Sequence, residues 1–210
     1  MQIVRIHHPY SKKIIPAEPV ALALGFFDGV HRGHQAVIKQ ACQKAREQHL
    51  KVAAMTFNHH ASVVFEQDRN FSPLSYLTSV ERKAELMREL GVDILYVVDF
   101  TSAFGSLNPE DFVQQYMVDL NAKVVVAGFD YTFGPAELAN MDTLPALAQG
   151  RFEVIKVPKI ILKNDKIGSG KIREMVSLGN IDDANAYLGY AFQTSGVVVH
   201  GEARGRELGF

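Results

Sequence analysis

Cysteine is almost absent from this chain, and so are the other features that would place it outside the ordinary globular class. The single Cys42 in 210 residues cannot form an internal disulfide. It falls on an apolar helical stripe with Val37, Ile38, Ala41 and Ala45, where core packing is its expected work. No segment reaches the ~18 apolar residues of a membrane span, and Met1 to Ile15 has no apolar stretch of signal-peptide length. A cytoplasmic protein is therefore expected, with no membrane partner. A basic excess is missing too. The formal charge is -1, without the strong positive field that binding a nucleic-acid backbone requires, so nucleic acid is not an expected partner. Internal repeats and low-complexity segments are also lacking, and composition leaves the oligomeric state open.

What is present is an average globular composition, 47% hydrophobic and 21% charged, in a chain long enough for one substantial domain and a fragment, or for two small domains. Val20 to Gly25 is a short apolar run ending in glycine, and Gln35 to His49 carries apolar residues at helical spacing. Further strands are expected over Lys51 to Phe57, Asp93 to Phe100, Val124 to Ala127 and Phe152 to Val157. Helices are expected over Val80 to Leu90, with a serine or threonine cap before it, and over Phe112 to Leu120, opened by Asn108-Pro109-Glu110-Asp111. Two short helices, Lys171 to Val176 and Asp182 to Leu188, follow a change of pattern after Lys166. Alternating strands and helices imply an α/β fold, a mainly parallel, doubly wound sheet covered on both faces. Such sheets bind ligands at the carboxyl ends of their strands, where the notable loops fall: Phe26 to Arg32, Asn58 to His60, and Phe129 to Pro135.

The first of these loops carries the chemistry. His31 and His34 lie three apart at a helix start, so both rings can occupy one side, just beyond the helix N-terminus. Free backbone N–H groups there attract phosphate, and Gly29 and Gly33 allow a large anion to come close to the backbone. Two imidazoles in that position can grip a polyphosphate and neutralise its transition state. The plain alternatives are a pair of capping or surface histidines, and for Asp28 an ordinary Asp-Gly turn.

With Gly25-Phe26-Phe27-Asp28-Gly29-Val30-His31-Arg32-Gly33-His34 the chain resembles the bacterial bifunctional riboflavin kinase/FAD synthetases in their N-terminal FMN adenylyltransferase domain. The stretch is similar to that family's form of the HxGH motif of the nucleotidyltransferase superfamily. The resemblance implies a Rossmann-like nucleotidyltransferase fold over 1–190. It places ATP against Gly25, Phe26, Phe27, Asp28 and Gly33, with His31 and His34 stabilising the pentavalent phosphorus. Thr56-Phe57-Asn58-His59-His60-Ala61, with Val64 and Phe65, resembles the family's TFxPHPxxVF, both prolines being replaced here by His59 and Ala61. Losing two φ-fixing residues should leave this loop less rigid. Glu81-Arg82-Lys83 matches the helix before the third strand, read simply as a solvated, capped helix.

Gly128-Phe129-Asp130-Tyr131-Thr132-Phe133-Gly134 is similar to the family's GxDFxFG loop. It implies a flavin site built from Asp130, Tyr131 and Phe133, together with Phe57 and His60. Ile167-Gly168-Ser169-Gly170-Lys171-Ile172-Arg173 resembles the second phosphate motif, ISSTxIR, with glycines in place of one serine and the threonine. Ser169, Lys171 and Arg173 are expected on the ATP phosphates, Arg173 with a catalytic share, and Lys171 in compensation for the missing hydroxyls. Weakened ATP binding is expected from the two glycines.

From Gly196 to Phe210 the chain resembles the opening of the family's riboflavin kinase β-barrel, GxVxxGxxxGRxLGFPTAN, stopping before PTAN. The expectation is an incomplete second domain over 191–210 and no support for kinase activity within these residues. The implied reaction is FMN plus ATP giving FAD and pyrophosphate, with Mg²⁺ bridging phosphate oxygens and no protein metal ligand assigned. Two alternatives stay open: transfer to a different phosphate acceptor, and a degenerate flavin- or nucleotide-binding relative without turnover.

Overall fold

The computed structural model describes residues 1–61, 76–197 and 209. In chain order, β1 (Gln2–Ile6) precedes β2 (Val20–Leu24), α1 (Arg32–Gln48) and β3 (Lys51–Phe57). Then come α2 (Val80–Glu89), β4 (Ile94–Val98), the short α3 (Ser102–Gly105) and α4 (Pro109–Val113). Next are β5 (Ala122–Gly128), α5 (Leu144–Ala148), β6 (Glu153–Val157), the two-residue strands β7 (Ile161–Leu162) and β8 (Asp165–Lys166), α6 (Ser169–Ser177) and α7 (Ile181–Leu188).

β1 to β6 form one sheet in the order β1-β4-β3-β2-β5-β6, parallel at every pairing. The central strands are buried along their whole length, as VALAL in β2 and ILYVV in β4 require when both faces are covered. One face packs Leu22, Leu24, Met55 and Tyr96 against Phe104, Phe112 and Tyr116. The other packs Ala21, Ala23, Leu95 and Val126 against Ile38, Ala41 and Met87 from α1 and α2. Strand order reverses between β2 and β5, the position at which such sheets open a crevice beyond their strand ends.

The expected strands and helices are present, with differences that have physical causes. Helix α1 starts at Arg32 rather than Gln35, because the His31 side chain caps it by accepting from the His34 N–H at 3.3 Å. β4 is shorter than the run Asp93 to Phe100, since the Asp93 carboxylate turns back to accept from the Val52 N–H at 2.9 Å. The helix after Asn108 begins at Pro109 and passes into a π-helical turn, Gln114–Val118. Edge strand β1 and the β7–β8 hairpin were not expected. β1 is five residues long with only Val4 and Ile6 buried, too faint an alternation to mark a strand. Cys42 is buried in the core as expected. Residues 191–197 form no regular element. The expectations at Val64, at Phe65 and over most of the kinase-like segment, Val198 to Leu208 and Phe210, lie outside the described residues.

Candidate active site

Beyond β2 the chain makes a tight, heavily fastened turn. The Phe26 carbonyl accepts from Thr56 Oγ1 and from Lys83 Nζ, each at 2.7 Å. Phe27 follows in the left-handed region (φ 55°, ψ 31°) with its side chain buried. Asp28 is 2% exposed. Its Oδ1 accepts from the Leu77 and Thr78 N–H groups at 2.8 and 3.3 Å, and its Oδ2 from the Arg173 guanidinium at 2.6 Å. Burial pushes the Asp28 carboxyl up, against the pull of Arg173 and the two N–H groups. The Asp28 carbonyl accepts from Ser169 Oγ at 2.9 Å. Gly29, at φ +76°, is required both by its backbone and by space, since a Cβ there would lie 2.7 Å from Leu77 Cδ1.

This turn delivers His31 and His34 to the N-terminus of α1 with their rings stacked, centroids 3.6 Å apart and planes 16° from parallel. A side chain at Gly33 would meet the His31 ring at 3.1 Å, which accounts for the glycine between them. Because His31 Nδ1 accepts from the backbone, the neutral ring carries its proton on Nε2. His34 rests edge-on against the Phe27 ring at 5.3 Å, and its Nδ1 is buried without a hydrogen-bond partner among the described residues. Burial lowers His31 to about 4. It also lowers His34 well below the ordinary imidazole value, the neighbouring His31 and Lys83 adding to the effect. Both rings are therefore neutral at pH 7.

The histidines open onto a cleft of about 900 Å³ between the loops that follow β2, β3 and β5 and the β7–β8 hairpin. One wall is aromatic: Phe57, Phe100, Phe104 and Phe112 all line it, and Phe133 stacks on Phe112 at 5.5 Å with planes 19° apart. Tyr131 extends that stack beside Phe133 at 6.3 Å. Charged side chains line the cleft as well. Lys166 Nζ meets Asp130 Oδ2 at 2.6 Å and sits 4.9 Å from the Phe129 ring centroid, and Lys159 also lines the cleft. An apolar slot for a planar ring system thus adjoins a polar end suited to phosphates.

Most of the residues singled out in the sequence converge here. Gly25, Phe26, Phe27, His31, Gly33 and His34 line the cleft from the first loop. Phe57 and His60 line it after β3, Asp130, Tyr131 and Phe133 after β5, and Ser169 at the start of α6. Three residues expected at the ATP site stand apart from the lining. Lys171 is ion-paired with Asp165 and lies over the Tyr187 ring, Arg173 is committed to Asp28, and Asp28 itself is buried behind the turn. Lys83, read as part of a solvated helix, is instead 2% exposed beneath Phe26. Its spacing was a readable signal, since Lys83, Leu86 and Met87 share the buried stripe of α2. Lys159 and Lys166 were missed because nothing local marks a hairpin lysine as facing a cleft.

A parallel doubly wound sheet with a stacked histidine pair at the strand ends defines a Rossmann-like α/β protein of the nucleotidyltransferase type. The FAD synthetase family model matches residues 14–171, and the chain belongs to that family. It is 47% identical over its whole length to the bifunctional riboflavin kinase/FMN adenylyltransferase of Listeria monocytogenes, and 39% identical to that of Bacillus subtilis. In each case it spans 66% of the relative. It is also 30% identical over 185 residues to a Listeria monocytogenes FAD synthetase, covering 88% of this chain and 74% of that one. Among solved structures, a Streptococcus pneumoniae protein called a macrolide-efflux protein matches with a TM-score of 0.84 and 33% identity, over 98% of this chain and 66% of that one. Among the residues described here, no helix is long and apolar enough to cross a membrane.

Proposed function

We propose that this chain is an FMN adenylyltransferase, joining the AMP of ATP to the phosphate of FMN. A phosphate oxygen of FMN attacks the α-phosphorus of ATP in line. The bond from that phosphorus to the bridging oxygen of the β-phosphate breaks, and pyrophosphate leaves with the electron pair. No protein nucleophile is needed, so catalysis consists of positioning and charge stabilisation. The observation that carries the reading is the stacked pair His31 and His34 sharing one cleft with the aromatic slot of Phe57, Tyr131 and Phe133.

In this reading the neutral imidazoles donate to the triphosphate and take up charge as it arrives, and the N–H groups that open α6 bind its far end. Among the described residues no side chain caps those groups at Gly168. Ser169, Lys159 and Lys166 supply further donors, while Arg173 reaches the phosphates from its seat on Asp28. The isoalloxazine ring lies along the aromatic wall, with His60 and Asp130 near its polar edge. Mg²⁺ enters as part of the nucleotide substrate. The transferase domain is 1–190, the residues after it open a riboflavin kinase-like domain, and the protein works in the cytoplasm.

The direct test is chromatographic detection of FAD from FMN, ATP and Mg²⁺, with other phosphorylated acceptors in parallel. His31→Ala should lower kcat by about 10²- to 10³-fold while leaving FMN affinity nearly unchanged. Absence of FAD at any substrate concentration would sink the proposal, and turnover of another acceptor alone would redirect it.

A further inference from the structure

Under the turn that carries the histidines lies a lysine that no role above absorbs. Lys83 Nζ donates to the Phe26 carbonyl at 2.7 Å and to Thr56 Oγ1 at 3.0 Å, and sits 4.4 Å from the Phe26 ring centroid. The carboxylate whose field it feels is that of Asp28, which is already bonded to Arg173. Burying an ammonium with only neutral acceptors is unfavourable beside a well-packed apolar side chain of the same length. Fold stability therefore gives no reason for a lysine here.

The geometry supplies one. The Phe26 carbonyl belongs to the peptide that leads into Phe27, and gripping that oxygen sets the plane of the Phe26–Phe27 peptide. Phe27 then takes φ 55° and ψ 31°, a conformation that L-residues with large side chains seldom adopt and that needs outside fastening. In that conformation its ring stands at 83° to the His34 ring, 5.3 Å away, and His34 in turn stacks on His31. The cation over the Phe26 face holds the preceding ring as well.

We propose that Lys83 is a positioning residue for adenylyl transfer, fixing the Phe26–Phe27 peptide so that Phe27 seats beneath His34 and aligns the histidine pair. The kinetic part of this proposal rests on the functional reading above. The groups facing the ammonium are the Phe26 carbonyl and Asp28 from the turn, Thr56 from β3 and His34 from α1. Burial lowers Lys83 to about 8, Asp28 opposing, so the grip weakens as the proton leaves above that pH. Stability moves the other way. Between about 8 and the ordinary lysine value of 10.5 the unfolded chain holds more protons than the folded one, so stability rises with pH.

The experiment measures FAD formation and thermal unfolding together from pH 6.5 to 9.5 for the wild-type chain, Lys83→Met and Lys83→Arg, with the histidine ring NMR signals of each. In the wild type, activity should fall above about pH 8 while Tm rises. Lys83→Met should lose about 10- to 100-fold in kcat, keep KM for ATP and FMN within about 3-fold, lose the alkaline limb, and unfold no earlier than the wild type. Lys83→Arg should retain part of kcat and carry the limb to higher pH, and it keeps the proposal open to refutation if the methionine variant does not fold. Wild-type kcat and an unchanged alkaline limb in Lys83→Met overturn the proposal. If the wild type forms no FAD, the functional reading fails instead, and the NMR signals decide. Shifted His31 and His34 resonances in either variant support positioning, and unmoved ones overturn it.

Discussion

Replacing His31 with glutamine should flatten the acid side of the stability profile. His31 is 5% exposed and titrates near 4 in the fold, against 6.5 for a free imidazole. Between those values the unfolded chain binds the extra proton, so the stabilisation is complete above pH 6.5 and is lost as pH falls toward 4. The full difference corresponds to about 3 kcal/mol, of which about 2 kcal/mol should already be gone between pH 7 and 5. Glutamine keeps a polar side chain of comparable length but has no proton to gain. In urea unfolding, with a slope of about 2 kcal/mol per molar, the wild-type midpoint should drop by roughly 1 M more than that of His31→Gln over this range. His34, also depressed by burial, adds to the wild-type loss and persists in part in the variant. The comparison, not the absolute loss, is therefore the measurement. Parallel midpoint-versus-pH curves for the two proteins would refute the argument, because they would mean that the His31 ring is charged or solvated in the folded state.

Two further substitutions follow from space around glycines. Gly29→Ala puts a Cβ 2.7 Å from Leu77 Cδ1 at a φ of +76° and should cost about 2 to 4 kcal/mol, read as a lower urea midpoint. The double change Gly168→Ser with Gly170→Thr restores the family's hydroxyls where, among the described residues, a Cβ meets nothing within 4 Å at Gly168 and only the Arg173 guanidinium, at 4.0 Å, at Gly170. It should fold normally and lower KM for ATP by roughly 5- to 150-fold, each of the two hydroxyls contributing about 0.5 to 1.5 kcal/mol, and an unchanged KM would show that the phosphates do not approach this helix end.

How much of this was legible in the sequence depended on whether a residue's role is set locally or across the fold. β3 could be read to the residue, Lys51–Phe57, because a buried parallel strand is a bare apolar run. The Asn108 cap with Pro109 behind it was equally plain, and its side chain accepts from the Asp111 N–H at 2.7 Å. The HxGH pair was legible for the same reason, its glycine and histidines acting within one turn. Arg173 was placed among the ATP ligands from its motif, yet its guanidinium rests on a carboxylate 145 residues away in sequence, and no local pattern encodes such a partner. Lys171 turned to Asp165 across the end of the hairpin for the same reason. β1 escaped notice because an edge strand buries one face only, so Val4 and Ile6 alternate with exposed Ile3 and Arg5.

The bond of Arg173 to Asp28 gives the segment Ile167 to Arg173 a structural part beside the phosphate-binding one proposed for it. Asp28 accepts from the segment that opens α2 through Leu77 and Thr78 and from α6 through Arg173, while its own carbonyl holds Ser169. One buried carboxylate thereby joins the turn before the histidines to the helix end that would bind the outer phosphates. Removing two hydroxyls from that helix end, as Gly168 and Gly170 do, takes away contacts to a ligand but leaves this strut whole. The recorded bond to Asp28 uses one guanidinium nitrogen of Arg173, and a planar fork can hold a carboxylate and a phosphate at different edges. A polyphosphate drawn to Arg173 would then pull on the same network that orients His31 and His34. In the proposed reading, substrate binding at one end and alignment of the reacting phosphorus at the other are linked through Asp28, and the substitutions in the motif should weaken the grip on ATP without dismantling the geometry that adenylyl transfer needs.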